Sequence, residues 1–517
     1  MGPTDVVLLL TIPAILWLYQ RWIQARAVLV SIDHHVGYRS AFNKTSIKPN
    51  VFGLSPEKSV TWKEKYKLFE KSGWDIVSAV SWFPSPAISF FVADPTAIKE
   101  VALKRWKFPK HMKEYEVFEI FGSNLVAAEG ERWKRHRKIS APAYSKKTNQ
   151  FVWEETCRIL EEMFVHWDRQ FTSNDVTELT RMFALKVIST TGFGVGYESD
   201  AAQGHTMSFG EAITVVSRDG FLKLVLPNWV MRLTPRFRRV GRAYAELWQY
   251  FQDLVADHND HLTNSSTSPQ RNDLFSSLLQ ANDAAEGSSD YLTEEELFGN
   301  MFIGFFAGHE TTANTLAFAL ILLARHPDEQ DRLYSHVKSV MKGHSVPTYS
   351  DMSLYTYTTA VINETLRMFP PVTGFPKYSA EDTVLFTTSA TSIEVRKSVS
   401  IPKGSKVVIN VPGLHYNTKY WANPCKWDPS RFQRKWNPDA FIPFSVGSRA
   451  CIGRKFFEAE ATAMLTMLVA HYRVELLNHP KQPEVNIQSG LTLVPAPVSL
   501  IFRRRSAHSP SNLAPNI

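Results

Sequence analysis

Phe444-Ser445-Val446-Gly447-Ser448-Arg449-Ala450-Cys451-Ile452-Gly453 is the most informative stretch of the chain. It follows a run rich in breakers (Pro424, Pro429, Asn437-Pro438, Pro443) and leads into an apolar-periodic segment from about Arg454 to Val469. This pattern predicts an irregular loop that delivers one cysteine to the start of a helix. A thiolate placed there meets the helix dipole and free backbone N–H groups, the setting that lowers a cysteine's pKa. Gly447 and Gly453 suit close backbone approach to something flat, and Arg449 can neutralise an anion beside it. The competing reading is a buried free cysteine that packs as a small hydrophobe.

Composition bounds the class. The 517 residues are 44% hydrophobic and 12% aromatic, ample for a large core. Three cysteines (Cys157, Cys425, Cys451) cannot form a disulfide framework and point to a reducing compartment. A net charge of +8 suits a basic face towards an acidic partner or an anionic membrane. No basic stripe interleaved with aromatics appears, which rejects nucleic-acid binding, and no repeat of fixed period is visible.

Val6 to Tyr19 carries no charge and is followed by Arg21 and Arg26. That run is short for a full membrane span, but counting from Gly2 with Gln20 to Ile23 snorkelling makes one feasible. Ala25-Arg26-Ala27 mimics a signal-peptide cleavage site and keeps that alternative open, although no basic leader precedes the run. A single-pass anchor over residues 1–24, with the body on the cytoplasmic side, is the expectation. A weakly patterned linker over 25–60, with Pro49 and Pro56, would follow. The alternating run Ala87 to Val92, ending at Asp94-Pro95, predicts a strand before a helix, one of two or three strands in a small sheet.

Three motifs precede the cysteine. In Gly130-Glu131-Arg132-Trp133-Lys134-Arg135-His136-Arg137, Trp133 and Arg137 share a helix face, although a solvated basic helix would look similar. A long helix should open at the capping box Thr293-x-x-Glu296 and run apolar to about Arg325. Its middle, Ala307-Gly308-His309-Glu310-Thr311-Thr312, breaks the apolar pattern. A threonine hydroxyl there can bond back to the i−4 carbonyl and open the helix for a ligand. His309-Glu310 invites a zinc-hydrolase reading, which fails because the second histidine would have to stand where Ala313 does. Third, Glu364 and Arg367 are three apart in a helix flanked by Ile362, Leu366 and Phe369-Pro370-Pro371. Burial there would demand that each charge be partnered.

The pattern Phe-x-x-Gly-x-Arg-x-Cys-x-Gly resembles the haem-thiolate signature of the cytochromes P-450, and the other motifs follow that family's order from about residue 85 to 500. The resemblance, most like fungal microsomal members, implies a mainly α fold with a small β-sheet subdomain and a long central helix over haem b. The catalytic domain would cover 61–503, with a tail over 504–517. Cys451 would be the axial iron ligand, with Phe444, Gly447, Arg449 and Gly453 around it. Trp133, Arg137 and His415 would serve the haem propionates. Glu310 and Thr311 would be the acid–alcohol pair that supplies protons. Glu364 and Arg367 would lock to Arg431 and support the cysteine loop; Ser430 stands where relatives often have Glu.

The activity so implied is monooxygenation of an apolar small molecule such as a terpenoid, sterol, fatty acid or aromatic metabolite, using O2. Phe302, Phe305, Phe306, Val372 to Phe375 and Leu491 to Val494 are the candidate substrate contacts. No flavin or nicotinamide fingerprint appears, so electrons would come from a separate NADPH-cytochrome P-450 reductase, steered by Lys134, Arg135 and Lys138. The expected location is the endoplasmic reticulum membrane. Two alternatives stay open: a haem-thiolate isomerase or dehydratase that does not use O2, and a non-catalytic membrane-anchored haem or lipid binder.

Overall fold

The computed structural model describes residues 3–42, 60–83, 85–194, 204–220, 222–227, 229–264, 273–477, 485–488 and 492–505. The N-terminal helix is α1 (Pro3–Ser31); the helices that build the site and its support are α2 (Gly130–Ser140), α3 (Lys146–Trp167), α4 (Val176–Ile188), α5 (Glu294–Arg325), α6 (Thr356–Met368) and α7 (Arg454–His471). The capping box opens α5 as expected: Thr293 Oγ1 accepts from Glu296 N at 3.3 Å, and Glu296 Oε2 accepts from Thr293 N at 3.2 Å. With 32 residues, α5 is the longest described helix and spans roughly 48 Å.

Its sequence is apolar around much of its circumference, and most of it is buried, with α4 packed along it and α3 behind, next to α7. The exception is the middle, where Phe306, Gly308, Glu310 and Thr311 keep partial surface and Ala307 is exposed. An interior helix with open surface at its centre borders a cavity. One crossing holds that wall in place: a Cβ on Gly299 would lie 2.5 Å from Ser123 O, so only glycine lets the two backbones meet there. Leu125 N donates to Asn300 Oδ1 at 2.9 Å beside it.

The sheet subdomain is larger than the sequence suggested. β1 (Gly37–Phe42), β2 (Ile76–Phe83) and β3 (Ala87–Val92) join two distant strands, β4 (Gly374–Tyr378) and β7 (Lys406–Asn410), in the order β1-β2-β3-β7-β4. The strand expected over 87–92 is found there. β3 and β7 pair in parallel, Phe90 opposite Val407, which brings residues 374–378 next to the N-terminal half of the chain. A hairpin of β5 (Thr383–Thr388) and β6 (Arg396–Ile401) lies between them in sequence. A further sheet of Gln170–Ser173, Leu500–Arg504 and Tyr472–Leu476 carried no sequence signal strong enough to find, because its strands are short and come from three remote segments.

The helix α1 runs past the expected end of the anchor. Ala25 and Ile32 are buried against the body, while Ile12, Ile15, Leu16, Trp17, Leu18, Tyr19, Trp22 and Ile23 are exposed. Of the expected linker, residues 25–42 are thus helix, turn and paired strand, and 43–59, with Pro49 and Pro56, lie outside the described residues, as do Leu491 and 506–517. Among the described residues, no helix is long and apolar enough to cross a membrane.

Candidate active site

Glu364 and Arg367, on consecutive turns of α6, have fully buried side chains. Arg367 Nε donates to Glu364 Oε2 at 2.7 Å and Nη2 to Oε1 at 2.8 Å. Its other bonds go to the carbonyls of His415 (2.8 Å) and Pro424 (2.9 Å). Arg431 Nε reaches Glu364 Oε1 at 3.2 Å, and its fork holds the carbonyls of Ala422, Asn423 and Lys426. The three residues meet as the resemblance implied, and what they hold is the backbone of 422–426 on the approach to the cysteine loop.

His415 does not do what was expected of it. Its Nδ1–H donates to Arg367 O at 3.1 Å, and its Nε2 accepts from Ile442 N at 3.0 Å. Both nitrogens are taken, so none is left for a propionate. Burial, with the Arg367 charge, holds the imidazole down to about 3. His415 is a strut between α6 and the segment that enters the cysteine loop.

In that loop Phe444 O accepts from Cys451 N at 2.9 Å, and the Phe444 ring packs on Phe457 with centroids 5.5 Å apart. Gly447 sits at φ +77°, where a Cβ would press to 3.3 Å from Ala102 O. Turn geometry and packing on the body therefore explain this glycine; a flat partner is not needed for it. Cys451 keeps an exposed surface, yet burial pushes its thiol up, against the Gly453 and Arg454 amides and the Arg137 and Arg454 charges. The helix-start effect foreseen from the sequence is present and outweighed. Open surface together with deep enclosure means that the sulfur faces an interior space.

Tyr144 joins the cysteine loop to α5 beside its open patch. A Cβ built on Gly304 would lie 3.5 Å from its hydroxyl oxygen, and one built on Gly453 would lie 3.6 Å from its Cε1. One ring thus touches α5 about a turn before Ala307 and the loop two residues after Cys451. No sequence signal marked Tyr144.

The rim of the space is cationic. Arg449 Nη2 donates to Glu129 Oε1 at 2.7 Å, and its guanidinium stacks 4.1 Å from the Trp133 ring centroid, with Arg105 at 4.7 Å from the same ring. Arg137 Nη1 donates to Ala450 O at 3.4 Å. Lys110 Nζ donates to Val126 O at 2.6 Å, and Lys377, on β4, is buried beside the same group. Burial, with the charges of Arg449 and Lys377, pushes Lys110 down to about 7. Burial also brings Lys377 down to about 8, opposed by Glu129. Three cations (Lys110, Lys377, Arg449) around Glu129, with Arg105 beside Arg449, leave a positive surplus that is costly until an anion joins them. Lys110 and Lys377 were not legible as site residues, because the first lies in a loop and the second reads as an ordinary strand residue.

Across the space, Thr311 Oγ1 donates to Ala307 O at 2.8 Å and Thr315 Oγ1 to Thr311 O at 2.8 Å, while α5 stays α-helical throughout. Glu310 Oε1 accepts from Thr492 Oγ1 at 2.8 Å, and burial raises its carboxyl above the usual range. His309 turns away, donating Nδ1–H to Phe305 O at 3.0 Å. Of the three phenylalanines, Phe302 and Phe305 are core residues, packed with tilted rings against Phe121 and Phe193; only Phe306 keeps partial surface, near Phe118. The three basic residues proposed to steer a reductase are each paired: Lys134 with Glu131, Arg135 with Glu296, Lys138 with Asp290.

A thiol facing an interior slot, with surplus buried cations at its edge, suits a flat metal complex bearing carboxylates. The residues present fit haem: Cys451 would hold the metal, and Arg449, Lys110, Lys377, Trp133 and Arg137 would serve its carboxylates.

Comparison with known proteins agrees. The family model for cytochrome P-450 matches residues 50–502. The chain is 39% identical to cytochrome P-450 monooxygenase 124 of Postia placenta, over 93% of this chain and 96% of that protein. It is 28% identical to cytochrome P-450 monooxygenase ORF6 of Penicillium roqueforti and 27% identical to cytochrome P-450 monooxygenase prx9 of Penicillium rubens, in both cases over 80% of this chain and 78% of the relative. These are oxidoreductases that carry a cysteine-ligated haem. The chain belongs to the cytochrome P-450 family.

Proposed function

We propose that this protein inserts one oxygen atom of O2 into a mostly apolar terpenoid, sterol, fatty-acid or aromatic metabolite, in fungal secondary metabolism. The observation that carries this is the open centre of α5 at Ala307 and Thr311, bridged through Tyr144 to the loop of Cys451, which is itself exposed. When bound, the haem supplies a thiolate-ligated iron that activates dioxygen and favours O–O cleavage. Cys451 would hold the metal. Phe444 screens the sulfur, and the Glu364–Arg367–Arg431 lock with His415 holds the loop. Trp133, Arg137, Arg449, Lys110 and Lys377 would offset its carboxylates. Thr311 presents its hydroxyl at the open face of α5, and next to it the Glu310 carboxyl, raised by burial, is the group that would pass a proton.

Phe306, Phe118, Val372 and Phe375 keep partial surface and are mainly apolar, which supports an apolar substrate. Electrons come from a separate NADPH-cytochrome P-450 reductase, a reading supported by the lack of any flavin or nicotinamide fingerprint in the sequence. Membrane attachment through α1 at the endoplasmic reticulum, with the body in the cytoplasm, is supported by the exposed apolar residues Ile12, Ile15 to Tyr19, Trp22 and Ile23 and by the basic residues Arg21 and Arg26 near their C-terminal end. A ligand screen on the ferric holoprotein tests the substrate class. Apolar polycyclic or long-chain compounds should shift the Soret band at micromolar concentration, and small polar or charged compounds should not. The opposite ranking would contradict the assignment.

A further inference from the structure

The acid of the central helix is gripped by a residue from the far end of the chain. Thr492 stands just before Val494–Pro495, the strand that pairs with Ile487–Gln488, and reaches α5 between Glu310 and Asn314. Asn314, one turn beyond Glu310 and buried, donates its Nδ2–H to Thr492 Oγ1 at 2.9 Å. A hydroxyl has one proton to give. With Asn314 filling a lone pair of the Thr492 oxygen, that proton points to Glu310 Oε1, 2.8 Å away.

We propose that Thr492, backed by Asn314, is the positioning residue for Glu310: it occupies Oε1, so that Oε2 is the oxygen that carries and releases the proton. This rests on the reading of Glu310 as the proton donor, and it adds which oxygen acts and what holds it. A protonated carboxyl has one hydroxyl oxygen and one carbonyl oxygen, and an oxygen that already accepts a hydrogen bond is the carbonyl one. Without Thr492 the carboxyl could rotate and present either oxygen. The other groups facing this carboxyl are Arg181, on α4, whose charge favours ionisation and which is paired with Glu178, and the neutral His309, whose Nδ1 is spent on Phe305 O. Thr492 pulls in the same direction as Arg181, so its bond keeps the proton from being held too tightly.

The prediction is read by infrared spectroscopy of the ferric holoenzyme without substrate, titrated with pH. At the acid end of the titration the wild type should show a protonated-carboxyl C=O band that is lost as pH rises and that is absent in Glu310→Gln. In Thr492→Val, which keeps the side-chain shape, that band should move to higher wavenumber and its titration midpoint should rise by about one pH unit. Thr492→Ser should restore both. An unmoved band and midpoint in Thr492→Val would overturn the proposal, as would the lack of any band lost in Glu310→Gln. Neither outcome touches the thiolate reading of Cys451, which has its own spectroscopic test, so failure of the two can be told apart.

Discussion

Glu364→Leu is expected to lower the free energy of unfolding by about 3–5 kcal/mol, the cost of leaving one partner of a buried ion pair uncompensated. Arg367 is fully buried, and two of its five hydrogen-bonding directions are satisfied by the Glu364 carboxylate in a bidentate fork. Removing that carboxylate strands the guanidinium on two carbonyls, frees Arg431 Nε, and releases Asp428 N, which donates to Glu364 Oε1 at 2.9 Å. Against a total stability of roughly 5–15 kcal/mol this is a large fraction. Because Arg367 and Arg431 hold the carbonyls of 422–426, haem retention should fall with stability. Denaturant midpoints and haem-to-protein ratios measure both. A loss below about 1 kcal/mol with full haem content would mean that the lock does not support the loop. Glu364→Asp tests the geometry alone: the shorter carboxylate cannot bridge both arginines, and most of the loss should remain.

Thr311→Ala is expected to lower product formation by on the order of 10²-fold while NADPH consumption continues, the excess electrons leaving as peroxide or water. The side chain is small and its hydroxyl is tied only to the Ala307 carbonyl one turn back, so its removal costs little packing. α5 stays helical through its backbone bonds, and the change is confined to the hydroxyl at the open face. A variant that folds and binds ligand normally but uncouples would place Thr311 in proton delivery. A variant that stays fully coupled would remove it from that role.

The legibility of these residues followed the range of the interactions that define them. The helix of Glu310 and Thr311 was readable because its start is a local capping box and its core is long and apolar, and both signals lie within one segment. The Glu364–Arg367 pair was readable because two charges in an apolar helix demand partners. Lys110 and Lys377 were not readable, since β4 brings residues 374–378 beside the loop at 110 only through the parallel pairing of β3 with β7. Thr492 fell within the stretch Leu491 to Val494 expected to meet substrate, but its bond to Glu310 escaped for the same reason: nothing near it in sequence hints at that partner. His415 was misread because resemblance gives a position and not what the ring's two nitrogens touch. The Cys451 thiol was expected to be acidified by its helix start; burial, which depends on the whole fold, outweighs that local effect.

The central claim is that Cys451 binds haem iron as a thiolate on one side of the space whose other wall is the centre of α5. The absorption spectrum of the reduced, carbon-monoxide-bound protein tests it most directly. The wild type should show the red-shifted Soret band of thiolate ligation, and Cys451→Ala should lose that band completely, while Cys157→Ala and Cys425→Ala keep it. A wild-type spectrum without the band, or a Cys451→Ala spectrum that retains it, would contradict the account.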